Sequence, residues 1–263
     1  MKKLNFLSCL IVCGLTAVVC SVSAGLALEP KQDVLRTSLQ MVLVTTPDWS
    51  TVDGHLQRYE RTSAGGEWKP VGDPIAIVVG KKGMAWGAGV VPTDGAGIRD
   101  SADPVKKEGD GKSPAGLFRI GSAFGYAAQP PASWKMSYIS LTPTVECVDD
   151  AASQFYNQVV DRATVTPDWN SSEHMANVGI AYRWGAVVNQ NMNPIVPNGG
   201  SCVFIHVWGG PGTGTAGCTA MPQEQLEPIL AWLDPAKNPL LVQLPVADYK
   251  KLRQAWHLPS LPH

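Results

Sequence analysis

Apolar positions along this chain come mostly in short runs, the length of buried strands rather than helices. Met41–Thr46 and Gly54–Arg61 predict two strands joined by a turn at Pro47-Asp48-Trp49. Pro74–Gly80 and Met84–Val91 predict a hairpin around Lys81-Lys82-Gly83. Leu117–Gly121, Ser137–Leu141, Gly179–Val188, Ser201–Trp208 and Leu241–Leu244 predict further strands. Helical spacing is rarer. Pro222–Leu233 starts on a proline and sets Leu226, Ile229, Leu230 and Leu233 on one face. Val148–Val160 predicts a helix capped by Asp149 or Asp150, with Phe155/Val159 and Tyr156/Val160 stacked at i,i+4. Asp248–Trp256 predicts a short terminal helix with Tyr249, Leu252 and Trp256 on one side. The expected fold class is mainly β, a sandwich-like core with two or three added helices.

The N-terminus departs from this pattern. Met1-Lys2-Lys3 precedes an uncharged stretch from Leu4 to Leu28, and Val22-Ser23-Ala24 offers a small residue for cleavage. This predicts a secretory signal over residues 1–24, with an uncleaved anchor as the alternative. The remainder, 25–263, reads as one domain without repeats or linkers. Its one long connection is the Gly/Asp/Lys-rich stretch Asp94–Pro114, a length usually functional or mobile. With 16% charged residues, a formal net charge of -1 and a pI near 6.5, the chain lacks the basic excess of a nucleic-acid binder. Export would leave three cysteines, Cys147, Cys202 and Cys218, and an odd count predicts one disulfide plus one free thiol.

The chemistry concentrates in Ser201–Met221, SCVFIHVWGGPGTGTAGCTAM. On a strand, Cys202, Phe204 and His206 share one face and Val203, Ile205 and Val207 the other. A glycine-rich loop and Thr215-Ala216-Gly217-Cys218 follow. A thiol just ahead of the helix at Pro222 would feel its positive end and ionise more readily. His206 is a natural acceptor for the thiol proton. The amides of Gly217 and Cys218 are candidate donors to an oxyanion. The pattern fits a cysteine acyl-transfer enzyme.

The block HVWGGPGTGTAGCTAM resembles the active-site signature of the YkuD-type L,D-transpeptidases, a strand His, a loop and then [Ser/Thr]-x-Gly-Cys. Ser113-Pro-Ala-Gly-Leu-Phe118 is similar to a second turn motif of that family, [Thr/Ser]-Pro-x-Gly-x-Phe. The resemblance spans about Val42 to Leu244. Two departures stand out: Ala216 occupies the place where the family commonly has His, and Thr219-Ala220-Met221 follows the cysteine where Arg is common. The resemblance implies a β-sandwich of mixed sheets. It also implies Cys218 as nucleophile, His206 as general acid/base and the Val207 carbonyl orienting the imidazole. The substrates would be peptidoglycan stem peptides, both donor and acceptor, with no metal, no organic cofactor and no dedicated membrane partner, in the periplasm or cell envelope.

Substrate-binding candidates are Tyr182, Arg183, Trp208 and Thr215, with Arg183 a replacement for the arginine missing after Cys218. Glu146, Asp149 and Asp150 form an acidic cluster able to meet an amine or simply to cap and solvate. Glu173-His174 lacks a partner at metal-ligand spacing. Cys147 and Cys202 are the candidate disulfide, with two free thiols as the alternative; a Cys202–Cys218 bond would block the nucleophile. Rival functions are stem-peptide trimming by the same cysteine, as an L,D-carboxypeptidase or endopeptidase, and a non-catalytic wall-binding domain.

Overall fold

Two runs that are apolar on both faces, Gln40–Thr46 and Leu240–Pro245, take the middle of the main sheet, where neither side meets water. The computed structural model describes residues 33–93 and 98–261. The expected signal, residues 1–24 with Cys9, Cys13 and Cys20, and residues 94–97 of the long loop lie outside the described residues. In chain order the strands are β1 (Gln40–Thr46), β2 (Asp53–Glu60), β3 (Lys69–Val78), β4 (Met84–Trp86), β5 (Ser113–Gly125), β6 (Tyr138–Ser140), β7 (Val145–Val148), β8 (Val159–Asp161), β9 (Ser172–His174), β10 (Trp184–Val188), β11 (Phe204–Val207), β12 (Thr219–Met221) and β13 (Leu240–Pro245). The helices are α1 (Asp33–Thr37), α2 (Gln223–Trp232) and α3 (Val246–Leu252).

The protein is mainly β, with mixed sheets. β1 runs parallel to β13 and antiparallel to β2, and the ladder continues through β3 to β12, β11 and β10. β5 closes it. Its residues Gly116–Arg119 pair with β13, and Ile120–Gly125 pair with β10. One strand thus serves two layers, and the ladder folds back on itself around a core that includes Leu43, Ile77, Phe118, Ile205 and Leu241. α2 adds Leu226, Ile229, Leu230 and the following Leu233 to that core, as its spacing predicts.

Between β6 and β10 the chain leaves the main sheet. There β7 pairs with β8 and β9 in a separate three-stranded sheet. Segment 141–183 packs Leu141, Val145, Met175 and Tyr182 onto Phe204 and Cys218, and so covers the outer face of β11.

Three expectations need correction here. Val148–Val160 is not a helix: β7 ends at Val148, a series of turns follows, and β8 begins at Val159. Asn157, at φ +63°, breaks the run, because its side chain serves three backbone groups: it donates to the Gln190 and Asn191 carbonyls (2.8 and 2.9 Å) and accepts from the Cys202 amide (3.0 Å). Gly179–Val188 is split. Gly179 at φ +79° opens a tight turn through Tyr182, and the strand starts only at Trp184. The turn at Lys81-Lys82-Gly83 forms, with Gly83 at φ +79°, but Met84–Trp86 then pairs in parallel with β5 instead of returning along β3.

Candidate active site

β11 alternates as its sequence predicts. Val203, Ile205 and Val207 enter the main core, and Phe204 and His206 face the 141–183 cover. β12 lies parallel beside it, with Thr219 opposite Ile205 and Ala220 opposite His206. Cys218, one residue before β12, is therefore level with Phe204. Its sulfur accepts from the Phe204 amide at 3.3 Å, and its S–H donates to the Cys202 carbonyl at 3.6 Å. His206 lies two residues farther along β11. Its Nδ1 sits 2.7 Å from the Val207 carbonyl. A carbonyl only accepts, so Nδ1 carries the proton and Nε2 keeps a free lone pair. No hydrogen bond joins Cys218 to the imidazole in this arrangement. The Tyr182 ring packs with both: its centroid is 5.5 Å from that of His206, edge-on, and it shares the buried cluster with Cys218.

The loop before the cysteine is held from three sides. The Cys218 carbonyl accepts from Ser113 Oγ at 2.8 Å and Thr215 Oγ1 at 2.6 Å. Ser113 Oγ in turn accepts from the Gly80 amide at 2.8 Å. Thr215 bridges to the β3–β4 turn through its amide to the Val79 carbonyl (3.0 Å) and its carbonyl from the Lys81 amide (2.8 Å). Past the cysteine, Thr219 Oγ1 donates to Gln243 Oε1 (2.6 Å), whose Nε2 donates to the Pro114 carbonyl (2.8 Å). The two sequence motifs thus meet: Ser113-Pro114 is the buttress of the Thr215–Cys218 loop. Gly217 has to be small, since a Cβ there would lie 3.0 Å from the Lys112 carbonyl.

The electrostatics run opposite to the helix-dipole expectation. β12 separates Cys218 from α2, so the thiol does not stand at that helix's N-terminus. Burial pushes the Cys218 thiol up to about 12, Glu173 adds to the rise, and the Phe204 amide and Lys106 oppose it. Burial also lowers His206 below its ordinary value, against the Val207 carbonyl. The resting pair is a neutral thiol and a neutral imidazole.

The other predicted residues are sorted by the same geometry. Tyr182 is buried against His206, in the turn and not on a strand. Arg183 is exposed just past that turn, and no hydrogen bond or ion pair brings it to Cys218. Trp208 follows β11 directly, half-buried, its amide on the Met221 carbonyl. The Thr215 hydroxyl is engaged inside its own loop, and it also takes the Gly217 amide at 3.1 Å, so that amide is not free for an oxyanion. Cys147 and Cys202 are joined in a disulfide, which ties β7 to the start of β11 and leaves Cys218 free. Glu146 is fully engaged by Arg162, His174, Trp169 and Ser172, and Asp150 holds the Ala152 and Asn170 amides, so both are structural. No group of three His, Cys, Asp or Glu side chains is placed to hold a metal ion among the described residues.

Two residues near the thiol were not assigned to the site from the sequence. Lys106, from the long loop, is buried beside Gly217. Glu173 lies close enough to Tyr182 and Cys218 to raise both, and is itself raised by burial.

The L,D-transpeptidase catalytic domain family, YkuD, matches residues 54–242, from β2 to β13 and across every residue of this site. The chain belongs to that family. No curated protein sequence matches it. Among solved structures it is similar to Bd1075 of Bdellovibrio bacteriovorus, at 12% identity and a TM-score of 0.39, over 86% of this chain and 59% of that one. Within the YkuD match, Ala216, in the position before Gly217-Cys218, is exposed. Ala220 is fully buried opposite His206.

Proposed function

We propose that this YkuD protein is an exported cysteine acyltransferase whose single domain, 25–263, acts on peptidoglycan stem peptides by L,D-transpeptidation. One observation carries the reading. Cys218 and His206 share the covered face of adjacent parallel strands, and the Val207 carbonyl holds the imidazole in the tautomer that leaves Nε2 as a base. To be deprotonated, the S–H turns from the Cys202 carbonyl toward Nε2. His206 takes the proton as sulfur bonds to the carbonyl carbon of the donor's L-centre. The tetrahedral intermediate collapses, His206 returns the proton to the departing amine, and D-alanine leaves a thioester on Cys218. An amine of a second stem then displaces the sulfur, with His206 again moving the proton. With the thiol held up at about 12 and the imidazole lowered, a standing thiolate–imidazolium pair is disfavoured, so the proton moves to His206 as sulfur attacks.

A second reading has its own support. Cys218 is 7% exposed beneath segment 141–183, and a cover of that kind favours a small acceptor. With water in place of the amine, the same steps give an L,D-carboxypeptidase. Mass spectrometry of tetrapeptide muropeptides after incubation, beside Cys218→Ala, tests both. Cys218-dependent dimers are expected for transfer, and D-alanine loss without dimers for trimming. Intact substrate with the wild-type protein overturns both and favours a wall-binding role.

A further inference from the structure

The loop 99–112 carries a lysine into the interior. Lys106 is 7% exposed, its backbone amide fixed to the Trp86 carbonyl at 2.9 Å. Its Nζ donates to Asp110 Oδ1 at 2.5 Å and to the Lys107 carbonyl at 2.9 Å. Asp110 is pinned as well, by the amides of Lys107 (2.9 Å) and Lys112 (2.9 Å). A buried ammonium has three N–H groups, and here two are used.

The third has a distinct neighbourhood. Nζ lies 3.8 Å from where a Cβ of Gly217 would stand and 3.4 Å from that of Gly200. Both glycines belong to segments that touch the nucleophile: Gly217 precedes it, and Cys202, two residues after Gly200, accepts its S–H. A Cβ at Gly200 would press on the Lys106 side chain (3.0 Å from Cγ), and one at Gly217 would stand in contact with its ammonium, so two side-chain-free positions flank Nζ on the side of the nucleophile loop. Meanwhile the Gly217 amide is spent on Thr215. An oxyanion forming on a carbon bonded to Cys218 would then lack one of the two backbone donors expected for it.

We propose that Lys106 supplies that missing donor: its free N–H, aimed by Asp110, receives the oxyanion of the tetrahedral intermediate together with the Cys218 amide. The inference rests on Cys218 being the acylated nucleophile. As sulfur bonds to the carbonyl carbon, the C=O π pair moves to oxygen. That oxygen accepts from Lys106 and Cys218, and the pair returns when the C–N bond breaks. Lys106 keeps its proton throughout. Asp110 is a positioning residue, since it touches only the lysine and its own loop.

The test uses Lys106→Met in the full protein, with a tetrapeptide donor and with the corresponding peptide aldehyde. The aldehyde adds to Cys218 as a hemithioacetal and places an oxygen where the oxyanion forms. We expect kcat to fall about 10²–10³-fold, the magnitude seen for loss of one oxyanion donor, with KM within about threefold. Aldehyde affinity should fall in parallel with kcat, while binding of an unreactive amide analogue holds. A purely structural role would weaken the analogue and the aldehyde alike. If Lys106→Met does not fold, Lys106→Gln is measured in the same way. Wild-type-like kcat in the folded variant, or equal loss for both ligands, overturns the proposal. Wild-type protein inert toward the donor, or activity retained in Cys218→Ala, overturns the catalytic reading, and the role of Lys106 falls with it.

Discussion

Ser113 is fully buried, and its hydroxyl ties β5 to two other segments: it accepts from the Gly80 amide just past β3 and donates to the carbonyl of Cys218. Ser113→Ala removes both bonds. The Gly80 amide is then a buried donor without an acceptor, at a cost of about 1–3 kcal/mol. The Cys218 carbonyl keeps Thr215 Oγ1, so its loss is only about 0.5–1.5 kcal/mol. The expected destabilisation is about 2–4 kcal/mol, read as a shift of the urea midpoint at constant slope. Thr215→Ala gives the complementary single loss. Together the two substitutions leave the Cys218 carbonyl with neither hydroxyl, so the double variant should lose about 1 kcal/mol more than the singles summed. The loop carrying the nucleophile loosens too, and activity in Ser113→Ala should fall more than the unfolded fraction accounts for. A Ser113→Ala cost below about 0.5 kcal/mol, or strict additivity with Thr215→Ala, would refute the buttress argument.

Other consequences follow from the same groups. Because Cys218 is held up at about 12, its alkylation by iodoacetamide should rise about tenfold per pH unit through pH 9; a plateau near neutrality would mean a standing thiolate. Glu173 contributes to that rise, so Glu173→Gln should lower the thiol's pKa and speed alkylation severalfold at fixed pH, and no change would remove Glu173 from the site's electrostatics. The Cys147–Cys202 bond closes a separation of 55 residues, worth about 4 kcal/mol in the chain-entropy picture; the Cys147→Ala/Cys202→Ala pair should lose stability on that scale and expose Cys218 to alkylation, whereas unchanged reactivity would mean the cover stays seated without it.

The site was more legible in the sequence than the path of the chain around it. His206, Val207 and Cys218 stand in a strand–loop–strand segment whose alternation fixes which side chains share a face, and the structure keeps that alternation. The helix α2 was legible because its apolar residues all serve one core. The run Val148–Val160 misled because Phe155 and Val159 have helical spacing for unrelated reasons: Phe155 packs edge-on to Trp169 (5.5 Å), and Val159 begins a strand. β12 was hidden by its length of three residues, and with it the separation of Cys218 from α2 that removes the dipole argument. Lys106 could not be found by pattern, since a lysine in a polar loop is ordinarily solvated; only the fold of Asp110 under it turns the side chain inward. Arg183, chosen as a replacement for the arginine missing after Cys218, is carried outward by the turn that Gly179 starts.

The central claim is that Cys218 carries the acyl group. Intact-protein mass spectrometry during turnover of a tetrapeptide donor, quenched in acid and followed by peptide mapping, measures this directly. The account predicts an adduct equal to the donor less D-alanine, on the peptide containing Cys218, discharged by added amine or water and absent in Cys218→Ala. Product formation with no adduct at any time, or an adduct mapped to another residue, would contradict it.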